Sequence, residues 1–84
     1  MKPWTHEDVI ESIRNSGKVK PNTLITASSR FEQDLGIDSL DLVGILLDIQ
    51  DDFGFEWTDK EISSINSVAD IINLLNKRSQ TNAA

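Results

Sequence analysis

Asp38-Ser39-Leu40-Asp41-Leu42-Val43-Gly44-Ile45-Leu46-Leu47-Asp48-Ile49-Gln50-Asp51-Asp52-Phe53-Gly54 is the stretch whose reading decides the fold. Leu42, Leu46, Ile49 and Phe53 recur at helical spacing and make one core-facing side of a helix that opens at Asp38 and stops at Gly54. Leu40, Val43 and Leu47 form a second apolar stripe on another face, with Asp41, Asp48, Asp51 and Asp52 distributed around it. An ordinary surface helix would be polar there. Either the helix is central and packs on two sides, or the second stripe is an exposed docking strip rimmed by acids. Gly44 lies inside the helix at a cost of about 1 kcal/mol relative to alanine. It marks a close approach at that point or a helix that tolerates the loss.

Helix signals continue on both sides. Thr5-His6-Glu7-Asp8 is a capping box with Asp in the last place, opening a helix with Val9, Ile10 and Ile13 on one face and Gly17 as its terminator. The polar Lys18–Thr23 segment, with Pro21, is loop, and Leu24 and Ile25 are expected to anchor it to the core. Arg30–Leu35 forms a single turn closed by Gly36, with Phe31 and Leu35 inward. Thr58-Asp59-Lys60-Glu61 caps a short helix that turns Ile62 and Ile65 inward. The last helix opens at Ser67, with Val68, Ile71, Ile72 and Leu75 as its stripe and Lys77 and Arg78 at the negative end of its dipole. Nothing between these elements reads as a strand. The expected fold is all-α: a bundle of three main helices and one short one with a long first loop, residues 1–78 forming the domain and 79–84 a polar flexible tail.

Composition narrows the function. Eighty-four residues make one domain too small for a deeply enclosed active site. With no cysteine and a single histidine, His6, the chain has neither a disulfide framework nor a Cys/His metal cluster. No apolar run is long enough to span a bilayer and no secretory signal precedes the first helix, so a cytoplasmic protein without membrane insertion is expected. A net charge of −6 disfavours nucleic acid. The charge is also uneven: ten acids and one base lie between Glu32 and Glu61. That asymmetry either steers a basic partner or only keeps the surface solvated.

Ser39 sits in the first turn of the central helix, just after Asp38. A serine there commonly satisfies a free backbone N–H. Asp38 can do so equally well, which leaves the Ser39 hydroxyl to point outward. A helix N-terminus also favours phosphate, so the position suits a phosphodiester-linked modification as well as a plain helix start.

The segment Phe31-Glu32-Gln33-Asp34-Leu35-Gly36-Ile37-Asp38-Ser39-Leu40-Asp41 resembles the prosthetic-group segment of acyl carrier proteins. Its core is Asp34-Leu35-Gly36-x-Asp38-Ser39-Leu40, and the likeness runs from about Thr5 to Leu75. The resemblance implies a four-helix carrier in which Ser39, flanked by Asp38, bears phosphopantetheine. A phosphopantetheinyl transferase would attach that arm from coenzyme A with Mg²⁺ in its own active site. The terminal thiol of the arm then holds acyl groups as thioesters. It further implies that Leu40, Asp41, Val43, Leu47, Asp48 and Asp51, with Asp38, meet basic docking patches on acyl-transferring or acyl-modifying enzymes. The acyl chain would slip between the second and third helices near Leu42, Leu46, Trp57, Ile62 and Ile65. A monomer is expected.

Gly44 and Gln50 stand where fatty-acid carriers commonly have acids, and Trp57 and Thr58 replace a smaller aliphatic residue and a proline. These departures favour a carrier dedicated to a specialised lipid, fatty-acid or polyketide-type pathway over the housekeeping one. Trp57 either reshapes the pocket or fills core space. A peptidyl or aminoacyl carrier is a closer variant, and an armless helical interaction module is the rival from another class. Catalysis by the chain itself is disfavoured, because the only imidazole lies in a separate helix from Ser39. An EF-hand reading from Asp48 fails at its sixth position, which is Phe53 rather than glycine.

Overall fold

The computed structural model of the chain describes residues 3–20 and 22–83, with side chains as far as Arg78. Pro21, placed in the first loop by the sequence, and Ala84, in the expected tail, lie outside the described residues, as do the side chains of residues 79–83. Four helices follow in order: α1 (His6–Asn15), α2 (Ser39–Phe53), α3 (Asp59–Ser64) and α4 (Val68–Ala83). Among the described residues the only β feature is an isolated antiparallel bridge between Arg30 and Ser67.

Local chemistry sets each helix start. Thr5 Oγ1 accepts from the Asp8 N–H at 3.2 Å while Asp8 Oδ2 accepts from the Thr5 N–H at 2.9 Å. Thr58 and Glu61 form the same reciprocal pair at the head of α3. Ser67 and Asp70 do so at the head of α4, with Ser67 as the cap. These pairs satisfy donors that a helix start would otherwise leave without partners. Gly54 ends α2 in the left-handed region, at φ 76°, where its N–H donates to the Gln50 carbonyl at 2.9 Å. A side chain there would be strained.

Val9 and Ile13 of α1, Ile45, Leu46, Ile49 and Phe53 of α2, and Val68, Ile71, Ile72 and Leu75 of α4 build the core. Trp57 and Ile65 on either side of α3 join them, with Val19, Ile25, Phe31 and Ile37 from the long first loop. Ile10, Leu35, Leu42 and Ile62 pack against this cluster but stay partly exposed. Ser12 is buried between α1 and α2, where its hydroxyl donates to Asp52 Oδ2 at 2.7 Å.

The long loop is pinned by backbone bonds across the α3–α4 connection. The Phe31 N–H donates to the Asn66 carbonyl at 3.0 Å, and the Val68 N–H to the Ser29 carbonyl at 2.9 Å. The turn that follows is held by Asp34 and Leu35 N–H groups donating to the Arg30 carbonyl, and by Ile37 N–H donating to Phe31.

Three expectations need correction. Leu24 is 79 % exposed and anchors nothing; Ile25 alone of that pair enters the core. The backbone of α4 continues to Ala83, through residues assigned to a tail. Lys77 and Arg78 therefore do not sit in the last turn, and Arg78 instead reaches back to Glu61 and the segment before α3.

Candidate functional site

The site is the N-terminal end of α2 and what surrounds it. Asp38, extended at φ −79° and ψ 174°, caps the helix by accepting the Asp41 N–H on Oδ1 at 2.8 Å. With the cap supplied by Asp38, Ser39 is exposed and its hydroxyl makes no hydrogen bond among the described residues. The first-turn N–H groups of Ser39 and Leu40 likewise donate to no partner among the described residues. A free hydroxyl, open to solvent and beside unpaired helix N–H groups, is a donor set that suits an attached phosphodiester.

The faces of α2 separate cleanly. Ile45, Leu46 and Ile49 are completely buried, whereas Leu40, Val43 and Leu47 are 82 %, 37 % and 47 % exposed. Leu42, expected on the core side, is half-buried at the boundary. The second apolar stripe is therefore not the second packing face of a central helix. Asp48 and Asp51 are exposed beside it, and Asp41 is partly covered. Lys18 supplies that cover: its Nζ lies 3.7 Å from Asp41 Oδ1, and its Cε would sit 3.6 Å from a Cβ at position 44. Sequence spacing could not bring a loop lysine to this helix, since the loop path decides it.

A groove of about 550 Å³ opens next to Ser39. Phe31, Ile37, Leu42, Val43, Ile62 and Ile65 give it apolar walls, and Arg30, Glu32, Gln33, Ser63 and Asn66 add polar groups. Of the residues expected at an acyl pocket, Leu42, Ile62 and Ile65 are brought together here, while Leu46 and Trp57 are not part of the lining. Both are buried; the Trp57 indole Nε1–H donates to the Leu46 carbonyl at 2.8 Å. The loop residues Phe31 and Ile37 were missed as groove walls, although the turn that presents them was legible. At the groove mouth Arg30 and Asp34 form an exposed ion pair at 3.2 Å. The Arg30 side-chain and backbone hydrogen bonds hold the Asp34 carboxyl below its ordinary range, and the same carboxylate raises the Arg30 guanidinium.

Residues 10–75 match the family model described as the phosphopantetheine attachment site. The chain belongs to the acyl carrier protein family. An acyl carrier protein of Rickettsia bellii is 43 % identical over 51 residues, covering 61 % of this chain and 59 % of that protein. A Schizosaccharomyces pombe protein assigned as a mitochondrial acyl carrier protein is 30 % identical over 76 residues, or 90 % of this chain and 68 % of its own length. Mitochondrial acyl carrier protein 2 of Arabidopsis thaliana is 38 % identical over 60 residues, covering 71 % of this chain and 47 % of that protein. Among solved structures, a Mycobacterium tuberculosis protein described as an acyl carrier protein superposes with a TM-score of 0.72 at 25 % identity, over 81 % of this chain and 89 % of its own. The four-helix acyl carrier fold and a phosphopantetheine-attachment domain are thus common ground. No helix among the described residues is long and apolar enough to cross a membrane.

Proposed function

We propose that this chain carries acyl groups as thioesters on a phosphopantetheine arm attached to Ser39. The observation that carries the reading is the freed Ser39 hydroxyl at the head of α2, with Asp38 already committed to the cap. The arm, when attached, supplies a terminal thiol for the thioester. The chain's own residues hold its anchor: Ser39 Oγ is the point of linkage, and the helix N-terminus stabilises the phosphodiester charge. The apolar groove beside Ser39 shelters the acyl chain, with Leu42, Ile62 and Ile65 among its walls. His6, the one imidazole of the chain, opens α1 and stacks on Trp4, whereas Ser39 opens α2, an arrangement that favours a carrier over a catalyst.

Leu40, Val43 and Leu47, bordered by Asp41, Asp48 and Asp51, are the surface we assign to the transferase and to acyl-modifying enzymes with basic patches. Charge guides encounter and apolar contact lengthens it. The uncharged Gly44 and Gln50 on α2 favour partners from a dedicated pathway; Gln50 is occupied in accepting the Trp57 N–H on Oε1 at 3.0 Å.

Incubating the apo-protein with coenzyme A and a broad-specificity phosphopantetheinyl transferase should add one arm by intact mass. Ser39→Ala should add none. An alanine variant labelled as fully as wild type would move the attachment elsewhere.

A further inference from the structure

The acids that border the apolar strip of α2 are not equivalent. Asp48 and Asp51 are exposed and have no partner among the described residues. Asp41, nearer Ser39, is met by Lys18, whose Nζ lies 3.7 Å from its Oδ1. The face is therefore graded along its axis, with a compensated acid at Asp41 and a bare one at Asp48. Seven residues of helix separate the two by about 10 Å. That distance is comparable with the Debye length at physiological salt, so an approaching partner meets the two ends as separate charges.

The lysine is held in place by its neighbours. Gly17, at φ 77°, turns the chain out of α1, and the Lys18 N–H donates to Ser16 Oγ at 3.2 Å. Val19 then enters the core. With both flanks fixed, the Lys18 stem lies along α2, its Cε 3.6 Å from where a Cβ at Gly44 would sit. A methyl group there would be in ordinary contact, and a longer side chain would compete with the stem for the same surface. Gly44, which weakens the helix, thus leaves bare backbone for the lysine beside Asp41. The ion pair stays open to water, its two side chains being 41 % and 46 % exposed.

Resting on the reading of this face as the docking surface, we infer that Lys18 is a built-in competitor for Asp41. It disfavours enzymes whose basic patch needs that acid and leaves those that engage Asp48 and Asp51 unhindered. A guanidinium or ammonium arriving at Asp41 meets a like charge already there, which it has to displace or share. At Asp48 and Asp51 it meets none. Because the Lys18–Asp41 pair is exposed, the discrimination is graded rather than absolute: such pairs shift an equilibrium by up to about fivefold.

The experiment follows loading of the apo-protein from coenzyme A by a broad-specificity phosphopantetheinyl transferase, at low and at high salt. Lys18→Met removes the competitor and should raise kcat/KM about two- to fivefold at low salt, with the gain fading as salt rises. Lys20→Met, at an exposed lysine of the same loop, makes the same change in net charge and should gain less. In an Asp41→Asn background, Lys18→Met should gain no more than Lys20→Met does. Equal gains from the two lysines in the native background overturn the inference, since net charge then explains both. So does a Lys18→Met gain that persists undiminished in the Asp41→Asn background. Slower loading of Lys18→Met also overturns it, by making the lysine itself a contact for a partner's carboxylate. Asp48→Lys tests the docking surface: unchanged loading at low salt strikes down that surface, whereas slower loading with no effect of Lys18→Met strikes down only the role of Lys18.

Discussion

Adjacent leucines on α2 should respond to truncation in opposite ways. Leu46 is completely buried and Leu47 is 47 % exposed, so Leu46→Ala and Leu47→Ala compare the two faces at nearly the same depth in the helix. Truncating a buried leucine costs about 2–5 kcal/mol, through lost transfer energy and the cavity left behind. An 84-residue domain has a total stability of about 4–13 kcal/mol, so Leu46→Ala removes a large share of it. Full burial of a leucine contributes about 1.5–3 kcal/mol, and roughly half of that applies to Leu47. Alanine is the better helix former and returns a few tenths, leaving a loss of about 1 kcal/mol or less. For a domain of this size about 1 kcal/mol corresponds to about 4–8 °C in Tm. Thermal unfolding followed by circular dichroism should then place Leu46→Ala at least about 10 °C below wild type and Leu47→Ala within about 8 °C of it. Ile49→Val, at about 0.5–1.5 kcal/mol, is the milder core control should Leu46→Ala fail to fold. Leu47→Ala falling as far as Leu46→Ala would refute the assignment of an exposed strip.

Asp41→Lys combined with Asp48→Lys should slow loading by the transferase at low salt and leave helicity intact, with the gap narrowing as salt is raised; equal rates at low salt would reduce this face to solvated surface. Arg78→Ala strips the cation from a part-buried Glu61 and from two aromatic rings, so the urea midpoint should fall by the equivalent of about 1–3 kcal/mol. Thr58→Ala removes one half of the α3 capping box, for a loss of about 1 kcal/mol in the same assay. Asp34, held below its ordinary range chiefly by hydrogen bonds from Arg30, binds protons less readily folded than unfolded. Its stabilising contribution is thus complete above the unfolded carboxylate pKa and is lost as pH falls through the lower folded value. Asp34→Asn should accordingly flatten the acid limb of the urea midpoint plotted against pH, by a small amount because the pair is exposed.

Much of the architecture was legible because it rests on local chemistry. Thr5 with Asp8, Asp38, Thr58 with Glu61, and Gly54 each act within one turn of their own position, so spacing alone located α1, α2 and α3. The two apolar stripes of α2 were also readable, though pattern could not say which of them faced solvent. That depended on what the other helices cover, which only packing determines. The misses share this non-local origin. Lys18 reaches Asp41 across a loop, Arg78 finds Glu61 and the Phe55–Trp57 pair instead of the end of its own helix, and Leu24 turns outward beside an inward Ile25. Trp57 was expected near the groove and is not part of its lining; its indole is fixed instead to the Leu46 carbonyl, a partner that no spacing rule anticipates.

The bridge between residues 29–31 and 66–68 fastens one wall of the groove to the other through main-chain atoms alone. Any amino acid other than proline can donate or accept those bonds. Gln33, Ser63 and Asn66 can therefore be exchanged for residues of different size or polarity without unfastening the frame that holds them. On the proposed reading of the groove, an engineer redirecting the carrier toward a hydroxylated or branched cargo can re-line the rim while the scaffold stays put, and natural drift has the same latitude.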